Sequence, residues 1–314
     1  MQFPIEIQNK INELFGSYRK SELSEVQKNL TNKYKCSSGR SASLIESKND
    51  SILYAISRMP ATYSVIYTLL GQLIEQGALE VSTSIADIGS GTGAGYFACR
   101  ELFGDIEIQL FERDNNMIEV FEMISETKGL VRKIDVIKDN IRVNSDFNLV
   151  IASYILSEMT ENDRLHVVDK LLQISSRYLL LIDTGTPETY TSFMKIKNYV
   201  EGKGYKIIAP CRCEACPLEN DYCQFYARVE RSALHRAVKG AKQSYEDEKY
   251  FYLLIAKENC FETEKGRVIR RPTITDNVCK LKLCTKNGVF EKTFTKRDKQ
   301  DYKLARKCKI NDLI

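Results

Sequence analysis

Four of the chain's ten cysteines fall within 13 residues, at Cys211, Cys213, Cys216 and Cys223. Thiolates hold zinc tetrahedrally or carry iron–sulfur clusters. The spacing Cys211-x4-Cys216-x6-Cys223 is looser than a zinc ribbon, because only one CxxC knuckle (Cys213 to Cys216) is present. Pro217 follows Cys216, a Cys-Pro step also found after the last cysteine of bacterial ferredoxin motifs. Cys279 and Cys284 lie downstream as further donors. Isolated free cysteines pack as small hydrophobes, but four together among Arg, Glu and Asp form a donor pattern. A second stretch, "DIGSGTG", runs from Asp87 to Gly93. Glycines after a buried strand permit a tight turn and close approach of a ligand to the backbone. Glu112 lies 19 residues after Gly93, where an acidic side chain takes ribose hydroxyls.

The elements that must position these residues follow from periodicity. Residues 1–80 read as helical, with apolar residues three and four apart in "SELSEVQKNLTNKY" and "YSVIYTLLGQLIEQ". Residues 81–260 alternate strands with helices, which predicts a parallel sheet covered on both faces. Its strands are the segment ending at Asp87, "DIEIQLFERD", "RKIDVIKDN", "FNLVIASYILSEM", "RYLLLIDTGTP", "GYKIIAP" and "KYFYLLIAKE". An insertion over 210–245 carries the cysteines and a basic helix. Residues 261–314 form a basic β-rich module, "GRVIRRPTI", "VCKLKLCT" and "GVFEKTFTK", closed by the helix "DKQDYKLARKCK".

Charge is uneven. From Glu264 onward there are 15 Lys+Arg against 6 Asp+Glu, which leaves the rest of the chain at −5 out of a net +4. Such asymmetry suits a polyanionic partner. "ARVERSALHRAVKGAKQ" is expected to be helical, with Arg228, Arg231, His235, Lys239 and Lys242 on one face and Arg236 beside them, a stripe fit for RNA phosphates. Interleaved Tyr and Phe in the tail can stack on bases. The first residues lack an apolar signal core and carry Glu6 and Glu13, and no apolar run is long enough to span a membrane. The expectation is a cytoplasmic protein, monomeric when free, with reduced thiols and hence a metal site rather than disulfides.

"DIGSGTG", with its GxGxG spacing behind Asp87, resembles the first motif of S-adenosylmethionine-dependent methyltransferases more than a dinucleotide fingerprint. The resemblance implies a class I methyltransferase (Rossmann-like) fold. It also places Asp139 beside the adenine. Ser153 and Tyr154 in "IASYILSEM" are expected to line the site. This stretch lacks the Asn/Asp-Pro-Pro-aromatic tetrapeptide of many amino methyltransferases, so no catalytic group is assigned.

"SRMPATY", "ADIGSGTGAG", "ASYILSEM", "DTGTPETY", "APCRCEACPLENDYCQF", "RVERSALHRAVKGAKQSYEDEKYFYLLIAKE" and "CKLKLCTKNG" occur in this order. Together they resemble the small-ribosomal-subunit methyltransferase-like family, over almost the whole chain. The resemblance implies association with the assembling small ribosomal subunit and its rRNA. It also implies a [4Fe-4S] cluster held by Cys211, Cys216, Cys223 and Cys284, with Cys213 a bystander. Zinc, and a local set that uses Cys213, stay open as alternatives. The sequence departs from the family at Asp183, where relatives tend to have Glu. Tyr222 and Ile310 or Ile314 stand where relatives have tryptophan, a residue this chain lacks.

Overall fold

Strand β1 (Ser84–Ile88) buries four of its five side chains and is an interior strand of the sheet. A strand covered on both faces must be apolar throughout. The protein was analysed as a computed structural model, which describes residues 3–16, 45–81, 83–141, 146–211, 213, 215–218, 221–258 and 261–314. The helix expected over "SELSEVQKNLTNKY" lies outside the described residues.

Parallel strands β2 (Glu107–Glu112), β3 (Val131–Lys133), β4 (Phe147–Ser153) and β5 (Ser175–Thr184) join β1 in the order β3-β2-β1-β4-β5. Long β8 (Tyr245–Ala256) then runs antiparallel to β5. On the far edge of β8 lie two strands in line, β6 (Lys206–Ala209) and β7 (Phe225–Glu230). The cysteine segment is the excursion between them. Helices α4 (Ala94–Phe103), α5 (Asn115–Ser125), α6 (Glu161–Ile174) and α7 (Pro187–Gly202) follow β1, β2, β4 and β5. This doubly wound, switch-point topology is the class I methyltransferase architecture expected from the sequence.

Helices α1 (Ile5–Phe15), α2 (Lys48–Ser57) and α3 (Met59–Glu75) add their apolar faces to the same core. Ser47 and Asp50 close a reciprocal cap on α2. The C-terminal residues form a second sheet, β9 (Arg267–Val268), β10 (Thr273–Ile274), β11 (Val278–Thr285) and β12 (Gly288–Thr295). It has its own small core under the final helix α9 (Lys299–Lys307), built on Val268, Leu281, Phe294 and Tyr302. Cys284 and Ile310 instead join the main core.

A buried polar seam also ties the two together. Tyr252 donates to Asn311 Oδ1 (2.7 Å), Gln76 to the Asn311 carbonyl (2.8 Å), and Arg267 to Gln76 Oε1 (2.9 Å).

The structure corrects two expected elements. Of "RKIDVIKDN" (132–140) only Arg132 and Lys133 belong to a strand, the end of β3 (Val131–Lys133), and the rest turns. The ammonium of buried Lys170 on α6 collects the carbonyls of Val136, Ile137 and Asp139, which bends that segment. The basic stripe is not one helix. Phe225, Ala227 and Val229 are buried in alternation, the two-residue period of a strand, and Arg228 sits on β7. The helix itself, α8, spans only Ala233–Lys239, capped by Ser232 and ended by left-handed Gly240.

Candidate cofactor pocket and thiol cluster

The turn after β1 is built by glycine conformation. Gly89, Gly91 and Gly93 have φ of +70°, +53° and +90°. A Cβ on Gly89 would come within 2.4 Å of Ile155, and one on Gly93 within 2.3 Å of Phe121. Gly91 faces open space, with Tyr54 3.8 Å from a Cβ position. The turn bends across the end of β2, where the Glu112 carboxylate accepts from Gly91 N (2.9 Å), Arg113 N (2.8 Å) and Asp114 N (2.9 Å). Burial pushes this carboxyl above its ordinary range, while the three amides oppose the shift.

A cleft of about 850 Å³, its open mouth included, lies over this turn. Gly89, Gly91, Glu112 and Ser153 line it, as expected. Gly93 does not; it caps α4 from behind. Asp87 lies beneath the turn, where a Cβ on Gly95 would meet its Oδ2 at 2.4 Å. Both Asp87 carboxylate oxygens are buried without a hydrogen-bond partner among the described residues. Asp139 does not line the cleft: it is exposed, and its carboxylate accepts from Asp135 N across its own turn. Asp135, four residues earlier, lines the cleft.

Lys170 fixes this wall. A Lys170→Met variant leaves three carbonyls without their donor, at about 1–3 kcal/mol each where water cannot replace it. The expected outcome is a loosened cleft wall over 134–137 and a chain with a lower melting temperature, read by calorimetry.

Burial, with the Glu112 charge, pushes Asp87 up to about 7 from 3.8. Between those values the folded chain keeps a proton that the unfolded chain releases, so stability falls as pH rises through this window. Three units correspond to roughly 4 kcal/mol. Asp87→Asn should flatten urea-measured stability between about pH 4 and 7 and leave the variant more stable than wild type at pH 8. An unchanged slope would count against this account. Glu158, pushed up to about 7 chiefly by burial, contributes in the same direction and remains in the variant.

Beyond β4 the chain makes a strained corner. Tyr154 has φ +59° and a buried hydroxyl without a hydrogen-bond partner among the described residues. Non-glycine residues held there cost about 1–3 kcal/mol and cluster at ligand sites. Glu158, on the 3₁₀ turn Leu156–Glu158, faces the cleft with Arg113 at 3.8 Å.

The second site lies at the far end of the sheet. No described cysteine is in a disulfide. A charge on Cys216 or Cys284 would raise Cys211 further, and one on Cys211, Cys284 or Cys216 would raise Cys223. Cys216 Sγ accepts from Tyr190 Oη at 2.9 Å. The structure thus brings Cys211, Cys216, Cys223 and Cys284 into one neighbourhood. Cys213 donates to the carbonyl of Thr285, the residue after Cys284, at 2.8 Å. Burial pushes the Cys211 thiol up to about 12 and that of Cys223 higher still. As placed, no three His, Cys, Asp or Glu among the described residues are arranged to hold a metal ion.

The basic residues of the insertion are engaged by carboxylates. Arg228 pairs with Asp247 at 2.8 Å. Arg231 and Lys239 share Glu246. Arg236 donates to the Arg231 carbonyl. His235 is buried, and burial pushes its imidazole down to about 3, so it packs as a neutral ring rather than facing a partner.

A family model described as "Mitochondrial small ribosomal subunit Rsm22" matches residues 48–314. The chain belongs to the Rsm22 family. It is similar to the human "Ribosome assembly protein METTL17, mitochondrial", at 23% identity over 294 residues. That match covers 84% of this chain but only 62% of the human protein's length. Among solved structures it is similar to the magnesium protoporphyrin IX methyltransferase of Synechocystis PCC 6803 (10% identity, 76% of this chain and 99% of that one, TM-score 0.41). A plantazolicin methyltransferase, BamL, is similar at 10% identity, 76% and 99% coverage and TM-score 0.45.

In this Rsm22-family chain, sequence reasoning missed Asp135, Glu158, Arg113, Met117 and Tyr54 as cleft residues. Asp135 had a signal, since it follows the last β3 residue by two positions as Glu112 ends β2. Tyr54 comes from α2, which no local pattern links to the glycine turn. Among the described residues no helix is long and apolar enough to cross a membrane.

Proposed function

We propose that the protein binds S-adenosylmethionine in the cleft, carries a thiolate-bound metal centre, and joins the assembling small ribosomal subunit by contacting its rRNA. The observation that carries the cofactor reading is the Glu112 carboxylate, held by three backbone amides beside a positive-φ glycine turn at the sheet's switch point. Glu112 takes the ribose hydroxyls. Gly89, Gly91 and Gly93 bring the backbone close to the methionine end, with Asp87 below. Asp135 replaces Asp139 as the acidic group on the adenine side. Ser153, Tyr154 and Glu158 border the remaining space, where a methyl acceptor would lie. When bound, the cofactor supplies an electrophilic methyl group, and the chain supplies position. Of the groups at this end, Glu158 can accept a proton near neutral pH.

Cys211, Cys216, Cys223 and Cys284 are the proposed ligands of a [4Fe-4S] cluster, with zinc as the alternative. The fit rests on the donor set: four thiols share one neighbourhood, and Cys213 is engaged by the Thr285 carbonyl. Such a centre would tie β11 to the cysteine segment and add folding energy. Reduced thiols suit a cytoplasmic setting.

The rRNA reading draws on the family description and on the human relative's name. Arg228, Arg231, Arg236 and Lys239 remain proposed contacts, but phosphates must compete there with Asp247 and Glu246. Lys292, Lys296, Arg297, Lys299, Lys303 and Lys307 of the C-terminal module are exposed and extend that surface. Binding should weaken steeply as salt rises.

The deciding experiment combines S-adenosylmethionine calorimetry with iron, sulfide and zinc analysis of chain purified without oxygen. About four irons and four sulfides with a brown chromophore support the cluster. One zinc and no colour replace it with a zinc module. No heat of cofactor binding would remove the methyltransferase-type reading.

A second reading, a non-catalytic assembly factor, is favoured by the end of β4. There Ser153-Tyr154-Ile155 replaces the usual tetrapeptide, and Ile155 packs against the Gly89 turn. Full rescue of subunit assembly by a Gly89→Arg/Gly91→Arg chain would establish it.

A further inference from the structure

The thiol neighbourhood is gripped from one side by two arginines of the C-terminal module. Arg267 on β9 is fully buried. Its guanidinium bonds only neutral acceptors: the Pro210 carbonyl (3.1 Å), Gln76 Oε1 (2.9 Å), and the Asn311 carbonyl (3.0 Å) and Oδ1 (2.9 Å). Its Nη2 has no partner, and no carboxylate lies within ion-pair distance of it among the described residues. A buried cation without a counter-charge is costly, at several kcal/mol.

Arg270, three residues on, repeats the contact. Its Nη2 donates to the Tyr222 carbonyl at 3.0 Å. The two arginines therefore hold the carbonyls immediately before Cys211 and Cys223. Arg270 also pairs with Asp221 at 2.5 Å, and Lys282 reaches the same carboxylate at 3.2 Å. That trio keeps one net positive charge, and Arg267 adds a second. Lys197, whose charge is felt at Cys211, is paired with Glu201 at 2.6 Å and adds none. The Pro210 and Tyr222 carbonyls adjoin Cys211 and Cys223, which places both guanidiniums beside the cysteine segment, and Arg270 lowers Cys223.

We propose that Arg267 and Arg270 are positioning residues that supply the counter-charge for an anionic thiolate–metal centre, so that the C-terminal module decides whether the centre forms. This rests on the reading of the four cysteines as metal ligands. Four thiolates around a divalent ion, or around a cluster core of charge +2, carry a net charge of −2, which two fixed cations balance. With neutral thiols Arg267 has no counter-charge and the Arg270–Lys282–Asp221 trio keeps its surplus positive charge. The inference therefore holds for iron–sulfur and zinc alike.

Arg270, less buried than Arg267, is the residue to test. The full chain, stripped of metal under reducing conditions without oxygen, is titrated with Co²⁺. Thiolate-to-cobalt absorption reports the ligands. Arg270→Met is expected to weaken Co²⁺ by about 10- to 100-fold, the usual effect of losing an outer partner of a metal site. Arg270→Lys should recover most of that loss, because it restores charge without the guanidinium fork. Asp221→Asn should tighten binding, since it removes the offsetting negative charge. A packing role predicts the opposite, because Arg270 loses its partner. Should Arg270→Met fail to fold, Asp221→Asn decides alone. Wild-type-like affinity in Arg270→Met, or weaker binding in Asp221→Asn, overturns the inference and leaves the ligand reading intact. No thiolate–cobalt absorption in the wild type overturns both.

Discussion

A Gly91→Arg chain should fold and bind no measurable S-adenosylmethionine, a loss of at least ~100-fold, or about 2.7 kcal/mol. Gly91 is the one glycine of the turn with free space above it, and that space is the cleft. A side chain there meets no backbone, so the folding penalty is confined to its φ of +53°, worth about 1–2 kcal/mol. The bulk and charge then occupy the place proposed for the cofactor. Gly129→Arg is the matched control: its φ is +75°, nothing lies within 4 Å, and it is remote from the cleft. It should carry a similar stability cost and bind normally. Equal binding by both variants would show that the cleft is not the cofactor site.

That prediction draws on the part of the molecule the sequence described best. The run of buried residues into "DIGSGTG", followed by a helix and an alternating strand ending at Glu112, is local. Each step is dictated by neighbours a few residues away, and the observed elements match it. The cleft wall after β3 was less legible, because its geometry is imposed from outside. Lys170, more than thirty residues on, bends 136–139 and exposes Asp139. The basic stripe was misread for a different reason. Positive charges three and four apart imitate a helix face, but the apolar residues between them alternate by two, and burial obeys the apolar pattern. The pairing of Cys284 with the distant cluster came from the family resemblance alone. No rule of spacing reaches from Cys223 to Cys284.

Cys284→Ser should abolish metal content and cost the chain several kcal/mol. At roughly 2–4 °C per kcal/mol for a chain of this class, the melting temperature falls by about 10 °C or more. Cys213→Ser, by contrast, should keep close to full metal content, because its thiol serves the Thr285 carbonyl and a hydroxyl can donate there as well. Metal analysis beside limited proteolysis of 261–314 separates the two. Loss of metal in Cys213→Ser and retention in Cys284→Ser would instead point to the local set of four.

The route of the chain through this region also sets an order in time. Three of the grouped thiols are made before β7, whereas the fourth and both gripping arginines follow β8. Cys284 is added 61 residues after Cys223. At about 5–20 residues per second of synthesis this is a delay of roughly 3–12 s. Arg267 and Arg270 follow Cys223 by 44 and 47 residues, so for most of that interval the nascent chain displays an incomplete donor set without them. A loaded centre would therefore mark a chain whose synthesis has passed β11 and whose C-terminal sheet has closed on the cysteine segment.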